Sequence, residues 1–106
     1  MDLTTLSRSE NTIILECIFA ADDLCFTEHF PENPVIPGSL IISLALYCAQ
    51  QFSHCGNKKL QVKKFAFHQF AGPGRYRLHV DAHEHALSCC LKTQDTVFAT
   101  GAITCA

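Results

Sequence analysis

The chain has 106 residues, 48% of them hydrophobic and 17% charged, with a formal net charge of −2. That length fits a single domain, residues 1–106, small enough that a partner would help to bury its apolar surface. The absence of any run of like charges excludes a disordered chain and a basic face that tracks nucleic-acid phosphates. The longest apolar run, Leu40 to Ala49, is interrupted by Ser43 and is too short to cross a bilayer, so no membrane association is expected. "MDLTTLSRSE" lacks the basic and apolar regions of a signal peptide, which makes the cytoplasm the expected location.

In chain order, Thr12 to Phe19, "TIILECIF", is β-branched and apolar with one polar interruption at Glu16, the texture of a strand. Asp22 and Asp23 mark a turn, and "LCF" reads as a short extended piece. A loop with Pro31, Pro34 and Pro37 follows, and from about Ser39 to His54 the pattern lengthens to helical size, stopped by Gly56-Asn57. From Leu60 onward the texture is β. "LQVKKFAFHQF" alternates over part of its length and "AGPG" is a turn. "RYRLHVDAH" then puts Tyr76, Leu78 and Val80 on one face and Arg75, Arg77 and His79 on the other. "HALSCCLKT" and "TVFATGAITCA" complete what reads as a meander of about four strands after one long helix.

Most of that helix is apolar around its circumference, so sheet must wrap it. Its polar residues fall in one stripe, Ser39, Ser43, Tyr47 and Gln50 or Gln51, at spacings of three and four. Such a stripe either looks into a pocket or marks where the helix meets solvent or a partner. The seven cysteines contain no CxxC pair and lie mostly inside apolar patterns, which predicts buried, reduced thiols rather than a disulfide framework.

The proline loop has a chemical reading. Each proline locks its own φ and restrains the residue before it, so little freedom remains between His29 and Gly38. A stiff mount suits a base that must be held against a bound substrate. Gly38 permits a close approach, and the helix starting there offers unpaired N–H groups at its positive end, suited to a carbonyl oxygen that gains negative charge. Histidine is a neutral base near pH 7. Together these groups would remove a proton next to a thioester carbonyl. The plain alternative for a single histidine is a satisfied residue in a proline-rich turn.

The stretch "HFPENPVIPG" resembles the HFPxxPxxPG signature of the bacterial 3-hydroxyacyl-(acyl-carrier-protein) dehydratases of the FabZ/FabA type, and "FAFHQFAGPGRYRLHV" is similar to that family's strand, turn and next strand. The resemblance implies an α+β hot-dog fold, with one long central helix wrapped by a curved antiparallel sheet, assembled at least as a dimer with the active site at the subunit interface. It implies that His29 abstracts the α-proton, that the Gly38 N–H binds the thioester carbonyl, and that Phe30 and Pro37 contact a substrate carried on the phosphopantetheine arm of acyl carrier protein. The implied reaction gives a trans-2-enoyl thioester in fatty-acid or polyketide-type synthesis, and needs no organic cofactor or metal.

This sequence departs from the family on the helix. Where a glutamate or aspartate stands fourteen residues after the histidine, it has Ser43; where a glutamine usually follows, it has Tyr47. A serine hydroxyl does not replace a carboxylic acid. Three readings stay open: a dehydratase in which His29 makes both proton transfers or Tyr47 or a water on Ser43 is the donor; one subunit of a hetero-oligomer whose related companion supplies the acid; or a hot-dog thioesterase or non-catalytic acyl-binding protein, with Glu28 and Glu32 as the only nearby carboxylates. His79, Asp81, His83, Glu84 and His85 alternate between strand faces and are not expected to hold a metal. Lys58, Lys59, Lys63 and Lys64 form a basic cluster that is either solvated or a dock for an acidic carrier.

Overall fold

A computed structural model describes residues 1–27, 32–55 and 58–105. Six strands, β1 (Asp2–Arg8), β2 (Thr12–Phe19), β3 (Leu60–Phe67), β4 (Gly74–His83), β5 (Ala86–Lys92) and β6 (Val97–Cys105), form one curved antiparallel sheet in the order β1-β2-β4-β5-β6-β3. Two helices, α1 (Leu24–Thr27) and α2 (Gly38–Ala49), stand between β2 and β3 in the chain. This is the hot-dog arrangement that the proline motif implied.

The alternation read in the sequence is the alternation seen. Ile13, Leu15, Cys17 and Phe19 of β2 and Tyr76, Leu78 and Val80 of β4 all turn inward and are buried, because successive side chains of a strand point to opposite faces. Leu87, Cys89 and Leu91 of β5 and Ala99, Ile103 and Cys105 of β6 extend that inner face. Against it α2 lays Ile41, Leu44, Ala45, Cys48 and Ala49. The buried thiols behave as small hydrophobes: burial pushes Cys17 and Cys89 up to about 12 and Cys48 up to about 11, so all three stay protonated at neutral pH.

Four expectations are corrected. The stretch "LCF" is helical, not extended: the Asp23 carbonyl accepts from the N–H groups of Phe26 and Thr27, and Phe26 enters the core edge-on to Phe19. The long helix ends at Ala49 rather than His54, and residues 50–55 continue as turns in which Gln51, Phe52 and Cys55 donate to carbonyls three residues back. The late strands are not one meander. Only β4, β5 and β6 are consecutive neighbours, while β3 leaves them and pairs with β6 at the sheet edge. Finally, Cys55 and Cys105 form a disulfide with Cα atoms 5.7 Å apart, whereas Cys17, Cys25, Cys48, Cys89 and Cys90 are free. No spacing signal could have revealed that pair, since 50 residues separate its members. The sequence reading also passed over β1, which is exposed along its whole length and owes its form to pairing with β2. The Gly56-Asn57 stop lies outside the described residues.

Candidate active site

The segment entering α2 is fixed from one side by the 71–74 turn. The Ile36 N–H donates to the Ala71 carbonyl at 2.7 Å, and the Tyr76 hydroxyl donates to the Gly72 carbonyl at 2.8 Å. Tyr76 is in turn held edge-on by Phe98 and Phe19, with ring centroids 5.1 and 6.2 Å away. The stiffness expected of Pro34 and Pro37 is thus reinforced by backbone and ring contacts from the sheet.

Pro37 is the N-cap of α2, in an extended conformation with φ −60° and ψ 136°. It supplies no side-chain acceptor, and the first turn contains no acidic residue. Its carbonyl takes the N–H groups of Leu40 and Ile41 at 3.0 and 3.3 Å. Among the described residues no acceptor is recorded for the Gly38 or Ser39 N–H, so the positive end of α2 presents donors to whatever lies in front of it. The space that glycine leaves at position 38 is filled by an aromatic ring of the same chain: a Cβ built there would stand 2.8 Å from Phe67 Cζ. Phe67 also stacks on Phe65 at 6.2 Å and is 49% exposed.

The polar stripe on α2 is where the spacing put it. Ser39, Ser43, Tyr47 and Gln50 are all exposed. Ser43 donates its hydroxyl proton to the Ser39 carbonyl one turn back, at 2.9 Å, which leaves its oxygen lone pairs to accept but commits its proton. Tyr47 is 52% exposed, and its carbonyl accepts the Gln51 amide at 3.4 Å. Ser39, Ser43 and Tyr47 therefore share one side of α2, whereas Gly38, at the start of the helix, faces Phe67 of β3. Val62 of β3 and Phe70 beyond it add exposed apolar surface, Phe70 at 85% exposure. His29 and Phe30 lie outside the described residues.

Two cavities among the described residues lie elsewhere. One of about 560 Å³ is bordered by Arg75, Arg77, His79 and Lys92, with Arg77 and Lys92 directly paired across β4 and β5. Partial burial, with the nearby Lys92 and Arg77, lowers the His79 pKa. Lys58 and Lys59 sit beyond the Leu60 end of β3, away from Phe67 and the start of α2. The second cavity, of about 290 Å³, is bordered by Asn11, His54, Ala82, His83 and Glu84. No helix is long and apolar enough to cross a membrane among the described residues.

A central helix on a curved antiparallel sheet, with a polar stripe along its exposed side, defines a hot-dog domain. The chain belongs to the ApeI-like family, described as ApeI dehydratase, whose model matches residues 5–102. In fold it is similar to the dehydratase heterocomplex ApeI:P from Xenorhabdus doucetiae, with 20% identity, a TM-score of 0.80, and 99% of this chain and 98% of that one covered. An uncharacterised protein from Erwinia carotovora subsp. atroseptica is also similar, at 20% identity and a TM-score of 0.70, over 100% of this chain and 93% of that one. No curated protein matches the sequence.

Proposed function

We propose that this chain dehydrates a 3-hydroxyacyl thioester held on acyl carrier protein, as one subunit of an assembly in which a related subunit supplies the catalytic acid. The reading is carried by the dehydratase family match over residues 5–102. In it, His29 takes the α-proton while the Gly38 N–H and the positive end of α2 stabilise the charge that gathers on the thioester oxygen. The β-hydroxyl leaves with a proton from the acid, giving a trans-2-enoyl thioester and water. Phe30 and Pro37 border the acyl group, and the step needs neither metal nor organic cofactor.

The companion subunit is favoured by the state of Ser43. Its proton is already given to the Ser39 carbonyl, so it is suited to orient a water or a neighbouring carboxyl and not to protonate a leaving hydroxide. Val62, Phe67 and Phe70 are also exposed, apolar surface of the kind that partners cover. The bordering strand, β3, has one unpaired edge. A heterocomplex is what the similar Xenorhabdus doucetiae dehydratase forms. Location in the cytoplasm and a role in fatty-acid or polyketide-type synthesis follow from the same reading.

The test is mass spectrometry of 3-hydroxyacyl and 2-enoyl carrier-protein thioesters incubated with the purified chain, alone and with a related dehydratase subunit. Loss or gain of one water that requires His29, and that rises at least tenfold when the companion is present, is the expected result. Release of free acid would establish a thioesterase instead. Full activity of the chain alone, reduced by Ser43→Glu, would remove the need for a companion.

A further inference from the structure

At the end of α2 opposite Gly38, one ring nitrogen of His54 and the sulfurs of Cys55 and Cys105 lie within 4.8 Å of one another. We propose that, when the Cys55–Cys105 bond is reduced, these three residues hold a thiophilic divalent cation, with Zn²⁺ the best fit. Two thiolates and an imidazole are a preferred zinc donor set, with metal–ligand bonds of about 2.3 Å to sulfur and about 2.0 Å to nitrogen.

The surroundings suit that ion. Cys55 and Cys105 are buried, at 0% and 3% exposure, and a dication on two thiolates and a neutral imidazole carries no net charge, so burial exacts little desolvation penalty. Both cysteine backbones are held in place: the Cys55 N–H donates to the Phe52 carbonyl at 3.0 Å, the Cys105 N–H to the His85 carbonyl at 3.3 Å, and Cys105 pairs with Leu60 across β6 and β3. The His54 ring is braced by buried Phe52, centroid to centroid 5.9 Å. Tetrahedral zinc separates its sulfurs by roughly 3.8 Å, which Cα atoms 5.7 Å apart accommodate by side-chain rotation. His54 is half-buried and also borders the cavity of about 290 Å³ with His83 and Glu84, so the fourth position opens toward water or one of those side chains.

The chemistry balances simply. A small dithiol reduces the bond, leaving two thiols and itself becoming a cyclic disulfide; the cation then displaces one proton from each thiol, so binding releases two protons and weakens as pH falls. The disulfide and the metal thus tie the turn after α2 to the end of β6 in alternative ways.

Equilibrium dialysis of the whole chain against Zn²⁺, with Co²⁺ as its spectroscopic substitute, tests this. Reduced protein should take up one metal ion and show thiolate-to-cobalt charge transfer in the near ultraviolet, while disulfide-bonded protein should show neither. His54→Gln leaves the core intact and should weaken binding by at least about a hundredfold, since loss of a direct ligand costs no less than the roughly 10–100-fold that loss of an outer-shell partner costs a metal site. Metal uptake equal in reduced and disulfide-bonded protein, unaltered affinity in His54→Gln, or no uptake by reduced protein would each overturn the assignment.

Discussion

The two sides of α2 obey opposite rules. On one, Ile41, Leu44, Ala45, Cys48 and Ala49 are pressed into the sheet, and each position is set by the space available. On the other, Ser39, Ser43 and Tyr47 touch little of their own chain, and what constrains them lies in front of the helix. Stability therefore resides on the inner side, and the proposed function puts chemistry on the outer. Variants that separate the two sharpen the contrast, and variants that fail to separate them break it.

The largest effect is expected from Leu44→Ala or Ile41→Ala, each truncating a side chain at 6% or 4% exposure. Denaturant unfolding should register a loss of about 2–5 kcal/mol, whereas activity per folded molecule should stay within about twofold of wild type. Next comes alkaline titration of the inner side. Cys17, Cys48 and Cys89 are raised from 9.0 to between about 11 and about 12 by burial. Above pH 9 the unfolded chain loses these protons while the folded chain keeps them, so stability is complete below pH 9 and falls as pH climbs toward 12. A urea midpoint that does not move between pH 8 and pH 10.5 would contradict this.

A smaller effect is expected at the junction of the two sides. Gly38→Ala puts a methyl against the Phe67 ring, and because that ring is half exposed and can swing outward, the cost should be about 1 kcal/mol. A double-mutant cycle with Phe67→Ala should recover most of it. The smallest change in stability belongs to Ser43→Ala, within about 0.5 kcal/mol, since the lost hydroxyl bonded only to an exposed turn. Its effect should instead appear as a lower kcat for the 3-hydroxyacyl thioester in the two-subunit assembly.

What could be read from the sequence follows the same division. β2 and β4 were legible because one face of each is buried and the period of two is written in the residues, and Ser43 and Tyr47 were located by counting from His29 along a specific motif. β1 was not, because no residue of "DLTTLSR" is buried and only its partner strand makes it a strand. α1 is four residues long, too short to display a period. The end of α2 was overestimated because Phe52 and Cys55 continue the apolar pattern after the helix has given way to turns, and both are buried. The roles of His29 and Phe30 were likewise read from the motif, and they remain part of the proposal. The acid that the proposal assigns to another chain could not be written in this one.

The pairing of β2 with β4 sets the pace at which the domain can form. Thr12 lies opposite Asp81, joined by a hydroxyl-to-carboxylate bond of 2.9 Å across 69 residues of sequence. Both helices and β3 lie within the loop closed by that pairing. Loop-closure entropy rises with the length enclosed, and domains built on distant pairings fold slowly. During synthesis Ile13, Leu15 and Cys17 must wait, uncovered, until β4 has left the ribosome. The first apolar strand made is thus the one most in need of protection from aggregation while the rest of the chain is still to come.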